Sequence, residues 1–564
     1  MTQPLAIGID DFREIRENDY YYIDKTLMIQ DFLTYKNKVA LITRPRRFGK
    51  SLNLSMLREF FDLNSDSKDI FSRLKIMETE HVKQMNTRPV IFLSFKNCNG
   101  SNEVKMKNSL ARTMMEVYMD YEDLFDDSVS KNSNAFLAFY KTCDELKKVL
   151  EPLPKGEEEK SKVDDDLLKA SLKTLTKAVC IFHAQPPLLL IDEYDQPLIK
   201  AHEKGFREAF SGDIYANFLG SALKGNPFVG QSLLTGIQRV VKESIFSEVN
   251  NFRLYTVSSL KYAEYFGLTV VETKQTLMDY GQDLNTEIQS YYDGYRFGSI
   301  NIYNPWSILS YIDEGLLKPY WVNTSTNKLI KEAIPKAGKE FTDSFEVLIK
   351  NGEVKVAVNL EASFIELAAS ETLWGLLVNS GYLSIAKDFP SGSKLLVIPN
   401  TEVKEELRKI VAIYTRISTN TLNELFDNLI DQDMDGFLKA YQKLVDAHVS
   451  YFTVKAPEAD SSENSFQMLF LGMAISTSGM YDITSEMENG DGRCDVMMKS
   501  LQPDLRPHII IEFKYGENLE KLKQEALDQI FDTRYYAKLS GKVLCVGIAH
   551  NKKRCAMTYK EITV

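Results

Sequence analysis

Six cysteines and six histidines are few for a chain of 564 residues, and no two cysteines form a C-x-x-C pair. That scarcity argues against a zinc site and against a disulfide framework. Reduced thiols in a cytosolic compartment are the simplest reading, so a cytoplasmic location is expected. No apolar run approaches the roughly 20 residues needed to cross a bilayer, so no membrane partner is expected. The first residues, "MTQPLAIGIDDFREIREND", lack the basic stretch and apolar core of a secretory signal. Excess positive charge is missing too: 68 Lys and Arg against 79 Asp and Glu leave a net charge of -11. Bulk charge therefore gives no attraction to nucleic acid, and any such role needs a local basic surface. Internal repeats and low-complexity tracts are absent.

What is present is a soluble-type composition, 44% hydrophobic and 26% charged, in a chain too long for one core. Short apolar runs bounded by turn signals recur early: "KVALIT" (38–43), "PVIFLSF" (89–95), "PPLLLID" (186–192) and "QSLLTG" (231–236). Longer periodic segments separate them, which predicts crossover units on a parallel sheet covered on both faces. The charged, breaker-rich stretch 151–166 reads as an exposed loop inside this region. From about 270 to 455 the pattern is mainly helical and rich in aromatics, with a helix and short strands in a winged-helix-like order. From about 456 a helix, strands and a further helix (518–540) make a small α/β domain. The expected division is 1–265, 266–345, 346–455 and 456–564.

The first chemical signal is "LITRPRRFGKSLNLSML" (41–57). A phosphate-binding loop needs backbone N–H groups at a helix N-terminus, a Lys for the phosphates and a hydroxyl for Mg²⁺. Gly49, Lys50 and Ser51 supply these, with a β-type run before and a helix after. The first glycine of the usual motif is replaced by Arg44, which Pro45 biases toward extended geometry. Arg46 and Arg47 are either further phosphate clamps or solvated loop cations.

"LLLIDEYD" (188–195) is an apolar strand ending in carboxylates, expected on a strand neighbouring the one before the loop. Asp192 is placed to hold Mg²⁺ and Glu193 to polarise an attacking water. The bland alternative is a buried strand ending in a solvated acidic turn. In "LLTGIQRV" (233–240), Thr235 either senses the terminal phosphate or caps the next helix. Arg239 either neutralises phosphate charge or forms a surface salt bridge.

The second signal is "GRCDVMM … HIIIEFKYGE". Strand alternation puts Glu512 and Lys514 on one face and Phe513 on the other, with Asp495 at the start of an adjacent strand. Two carboxylates so placed can share a divalent metal, and a neighbouring Lys can orient or deprotonate water. Glu463 and Glu486 are candidate additional ligands, and Gln529 lies on a helix able to return to the site. An ordinary amphipathic strand is the competing reading, weakened because a charged pair ending a buried strand is costly unless something binds it.

Together with "DDFREIRENDYYYIDKT", "YYDGYRFG", "YNPWSIL", "YWVNTSTN", "IPNTEVKEEL" and "EALDQI…RYY", these stretches carry a resemblance across most of the chain. It resembles bacterial proteins that join a predicted AAA-ATPase-like domain to a C-terminal PD-(D/E)XK nuclease-superfamily domain. The fold implied is α/β: a P-loop NTPase with a parallel sheet, a helical or winged-helix-like middle and a small restriction-endonuclease-like α/β domain. The resemblance implies ATP and Mg²⁺ at Lys50, Ser51, Asp192 and Glu193, and a metal site at Asp495, Glu512 and Lys514. It places an Arg at position 44 as a family feature and suggests a bacterial or mobile-element setting, with defence against foreign nucleic acid as one role. The aromatic motifs of the middle receive no chemistry from it.

Two functional classes are compatible with these residues. One is an ATP-governed, Mg²⁺-dependent nuclease acting on nucleic acid, compatible with a homo-oligomer. The other is an ATP-dependent scaffold or signalling protein whose nuclease-like domain only binds nucleic acid or a partner. The triad of Asp495, Glu512 and Lys514 favours the first, and the acidic global charge favours the second.

Overall fold

The computed structural model describes residues 3–126, 133–151, 161–239, 252–321, 330, 333–334, 337–361, 369–404, 406–407, 419–452, 470, 473–474, 477, 480–484, 487–489, 492–551 and 554–564. Two compact units are formed, one of residues 1–330 and 357–386, the other of 331–356 and 387–564.

The apolar runs of the first unit become strands β1 (Val39–Thr43), β2 (Val90–Ser94), β3 (Leu188–Asp192) and β4 (Ser232–Gly236). A fifth, β5 (Phe252–Tyr255), has only one fully buried residue and offered a weaker pattern. All pair in parallel in the order β2-β3-β4-β1-β5. Strands β1, β3 and β4 are buried along their whole length, which explains their continuous rather than alternating apolar character. β1 and β3 are not the direct neighbours expected from sequence, because β4 lies between them. The reason is the crossover order, which pairs Leu189–Ile191 with Ser232–Leu234 and Val39–Thr43 with Ser232–Gly236.

Helix α1 (Lys50–Phe61) follows β1 directly. Its N-cap, Gly49, has φ 82°, a left-handed conformation that glycine adopts without steric penalty. The aromatic middle is less helical than its pattern suggests. Leu268–Thr269, Tyr295–Phe297 and Ile300–Tyr303 form a small antiparallel sheet, because Gly298 (φ 56°) turns the chain between two short aromatic strands. In the segment expected to resemble a winged helix, the helix Ser370–Asn379 and the strands Ser384–Asp388 and Ser393–Val397 form. Most of the exposed loop expected at 151–166 and of the helix expected from 464 lies outside the described residues.

In the second unit β6 (Tyr481–Thr484), β7 (Val496–Ser500), β8 (His508–Tyr515), β9 (Lys542–His550) and β10 (Cys555–Thr563) form one mixed sheet in chain order. Only β8 and β9 run parallel, and helix α2 (Leu519–Asp532) makes that crossover. One sheet face packs on a core with Phe470, Phe513 and Val546; the other packs Ile510, Leu527, Ile530 and Cys545. Gly547 on β9 lets α2 approach closely: a Cβ there would lie 2.4 Å from the Lys523 carbonyl oxygen and 2.6 Å from the Leu527 nitrogen. Gly547→Ala should therefore push α2 outward and destabilise this unit by about 1–3 kcal/mol, the usual cost of overpacking. A lowered unfolding midpoint in calorimetry checks this, and an unchanged midpoint would contradict the close packing.

Candidate nucleotide and phosphodiester sites

The chain from β1 enters a loop whose residues are unequally exposed. Arg44 is fully buried and donates from Nη1 to the carbonyls of Thr43 (2.8 Å) and Tyr255 (3.1 Å). Burial pulls its pKa down to about 9. The position expected to want glycine is thus occupied by a side chain that packs inward and ties β1 to β5.

Lys50, also buried, donates from Nζ to the carbonyls of Arg44 (3.1 Å) and Pro45 (2.8 Å). Burial lowers its pKa, opposed by the charges of Glu193, Asp192 and Asp195. Ser51, one residue on, donates from Oγ to Asp192 Oδ2 at 2.5 Å. Thr235 at the end of β4 donates to the other oxygen, Oδ1, at 2.6 Å. One buried carboxylate thus joins the first turn of α1, the end of β3 and the end of β4. The insertion of β4 between β1 and β3 is what brings Thr235 there.

Glu193 comes next with φ 49°, a left-handed backbone that is strained for a residue with a Cβ. Burial raises its pKa, the neighbouring Asp192 charge adds to this, and Lys50 opposes both. Two further residues of the "DEYD" run were not singled out from sequence. Tyr194 donates its hydroxyl to the Gln238 carbonyl at 2.7 Å. Asp195 is buried and accepts from the backbone N–H groups of Ile237 (2.8 Å) and Gln238 (2.9 Å). Its pKa is raised by burial, with those N–H groups opposing. The four-residue acidic spacing was the only signal for it. Gly236 is fixed by this contact, since a Cβ would meet Asp195 Oδ1 at 2.7 Å.

Lys50, Ser51, Glu193 and Asp195 line a cavity of about 510 Å³ together with Arg46, Arg47 and Gly49. Ala6–Ile9, Pro305, Trp306 and Leu309 supply apolar lining. Arg46 and Arg47 therefore reach the site. Arg239 does not line it and pairs with Glu361 at 3.1 Å, the salt-bridge alternative. Of the residues proposed from sequence, Gly49, Lys50, Ser51, Asp192, Glu193 and Thr235 converge.

The second site lies across β7 and β8. Asp495, just before β7, accepts at Oδ2 from the Phe513 N–H (2.8 Å), and Glu512 Oε2 accepts from the Asp495 N–H (3.2 Å). Each carboxylate is held by the other residue's strand. Gln529 on α2 donates to Glu512 Oε1 and lies 3.1 Å from the Tyr535 hydroxyl. Lys514 Nζ stands 3.8 Å from Glu512 Oε1, on the same strand face, while Phe513 is buried opposite. Tyr535 is buried and was missed as part of this cluster; its only sequence signal was the "RYY" after Gln529. Glu463 and Glu486 lie outside the described residues. Among the described residues no group of three or more His, Cys, Asp or Glu side chains is poised to hold a metal ion. Asp495 and Glu512 make a two-carboxylate oxygen donor set, which fits Mg²⁺, an ion that keeps several waters and takes one or two carboxylates.

Comparison with known proteins finds two matching families in separate parts of the chain. Residues 6–246 match the family described as predicted AAA-ATPase, and residues 461–560 match the PD-(D/E)XK nuclease superfamily. The chain is also 24% identical over 441 residues to an uncharacterized protein in the vnfD 5' region of Azotobacter chroococcum mcd 1, covering 77% of this chain and 75% of that protein. No helix among the described residues is long and apolar enough to cross a membrane.

The raised pKa of Glu193 has a stability consequence. A carboxyl whose folded pKa lies above its ordinary value of 4.5 favours folding only while protonated. Its contribution turns unfavourable as pH rises through 4.5 toward the raised folded value. Glu193→Gln should thus raise the unfolding temperature at pH 7 and lose that advantage near pH 4. An unchanged or lowered midpoint at pH 7 would count against the burial of a charged Glu193.

Proposed function

We propose that the first unit binds and hydrolyses ATP with Mg²⁺, and that this governs a Mg²⁺-dependent nuclease site in the second unit acting on nucleic acid. The observation that carries the first half is the Ser51–Asp192–Thr235 bridge beside Lys50 and the N-terminus of α1. In a P-loop site the Ser hydroxyl and the strand-end Asp hold Mg²⁺, and the Lys reaches the phosphates. Lys50 would exchange its loop carbonyls for phosphate oxygens, which its three donors allow. Glu193, partly desolvated with a raised pKa, suits the role of polarising water. Thr235 would sense the terminal phosphate through Asp192. Mg²⁺ there would neutralise the charge that develops on the phosphates.

In the second site Asp495 and Glu512 would hold Mg²⁺, and the bound ion would polarise the phosphodiester and activate water. Gln529 and the two backbone N–H groups fix the carboxylates in place beforehand. Lys514 would orient the attacking water or steady charge on the phosphate. The helix and strands of 370–397 support a winged-helix-like reading of that segment. A homo-oligomer is compatible with this reading.

Lys50→Ala should abolish ATP binding, whereas Glu193→Gln should keep binding and lose hydrolysis roughly a hundredfold. Titration with ATP and phosphate release measure the two. Full turnover in Glu193→Gln would remove it from the chemistry. Glu512→Ala should abolish Mg²⁺- or Mn²⁺-dependent cutting of single- or double-stranded DNA or RNA, with Lys50→Ala altering its ATP response. Absence of cutting under every condition, with ATP binding intact, would favour the scaffold alternative.

A further inference from the structure

Aromatic side chains of residues 266–321 surround the phosphate loop in the first unit. The guanidinium of Arg44 lies 5.5 Å from the Phe266 ring centre and 5.0 Å from that of Phe297. Gly381 packs beside Pro45 and Trp321: a Cβ there would stand 3.1 Å from Pro45 Cβ and 3.2 Å from Trp321 Cζ2. The Arg46 carbonyl accepts from Trp321 Nε1 at 3.2 Å. Arg47 has its guanidinium 4.2 Å from the Trp306 ring centre. Phe48 is buried edge-on to Tyr295 (5.1 Å) and beside Phe297 (5.2 Å). Arg44, Arg46, Arg47 and Phe48 are each held by this aromatic wall.

Arg47 is the informative member. Its φ of 66° is left-handed, a conformation that a side chain adopts at a cost and keeps only where the surroundings over-determine it. Its neighbours on both sides are fixed by Trp321 and Phe48's pocket, which leaves Arg47 no cheaper backbone. Among the described residues it forms no ion pair. Asp10, a carboxylate lining the same cavity, is engaged at 2.7 Å by Lys96. The Trp306 ring holds a cation by its face without consuming its N–H donors. Both Arg47 and Trp306 line the cavity.

We propose that the aromatic wall of 266–321 is the positioning apparatus of the phosphate loop, with Trp306 holding Arg47 ready as a second cation for a bound polyphosphate. Arg47 then complements Lys50 from the middle of the loop, and the strained, glycine-poor "RPRRFGKS" is shaped by packing where other loops rely on glycine. Trp306 is a positioning residue that acts through Arg47. This inference rests on the nucleotide reading of the site.

The test is a double-mutant cycle on the full chain, titrated with Mg-ATP by calorimetry. Arg47→Gln and Trp306→Leu should each weaken binding roughly five- to tenfold, and the double variant should be little weaker than either single one. Trp306→Phe, which keeps a weaker ring face, should recover part of the loss. Should Trp306→Leu fail to fold, the cycle is run with Trp306→Phe. A Trp306 effect of equal size with and without Arg47 would mean that the indole acts on the nucleotide itself, and would overturn the proposal. So would the absence of any effect of Trp306→Leu in a folded protein. Lys50→Ala separates the two levels. If the wild type does not bind ATP, or Lys50→Ala binds as well as wild type, the nucleotide reading falls and this inference with it. If only the cycle is additive, the positioning role alone falls.

Discussion

A single buried carboxylate organises the first unit. Asp192 is 2% exposed, and both its oxygens are taken by hydroxyls from different elements, Ser51 of α1 and Thr235 of β4. A buried ionised group must be hydrogen-bonded or it destabilises the fold heavily. Strand register supports that demand: a slip of one residue in β4 would turn Thr235 away and present an apolar face instead. The rest of the "DEYD" run fastens the segment after β4, since Tyr194 and Asp195 hold the backbone of 237–238. The end of β3 thus reports on the start of α1 and the end of β4 at once.

The second unit applies the same rule with different parts. Asp495, just before β7, and Glu512 on the antiparallel β8 each accept a backbone N–H from the other's segment. The pairing brings two carboxyl groups to one end of the strand pair, an oxygen donor set suited to a divalent cation. Gln529 reaches Glu512 from α2, and Gly547 lets that helix lie close on β9. Packing on one sheet face and chemistry at its end are therefore coupled through the position of one helix.

Arg44 and the aromatic wall show how a loop can be shaped without its usual glycine. Rings on Phe266 and Phe297 accept the buried guanidinium, and two carbonyls take part of its donors. Order in the loop comes from surroundings of high packing density, which deform in discrete steps and not continuously. Such a loop is held from the outside, so its shape depends on residues more than 200 positions away in the chain.

Much was legible in the sequence because the signals were local. Continuous apolar runs marked β1, β3 and β4, strand alternation put Glu512 and Lys514 on one face with Phe513 behind, and Gly49-Lys50-Ser51 marked the start of α1. The family resemblance rested on the same stretches. Tertiary structure alone decided the rest. Strand order is a long-range property, so the placing of β4 between β1 and β3, and with it the link from Thr235 to Asp192, had no local signature. Arg239 had two readings, and its pairing with Glu361, 122 positions away in the chain, has no local signature. The aromatic motifs were visible as composition, but their hold on Arg44, Arg46, Arg47 and Phe48 arises from contacts across the chain, which no periodicity or spacing encodes.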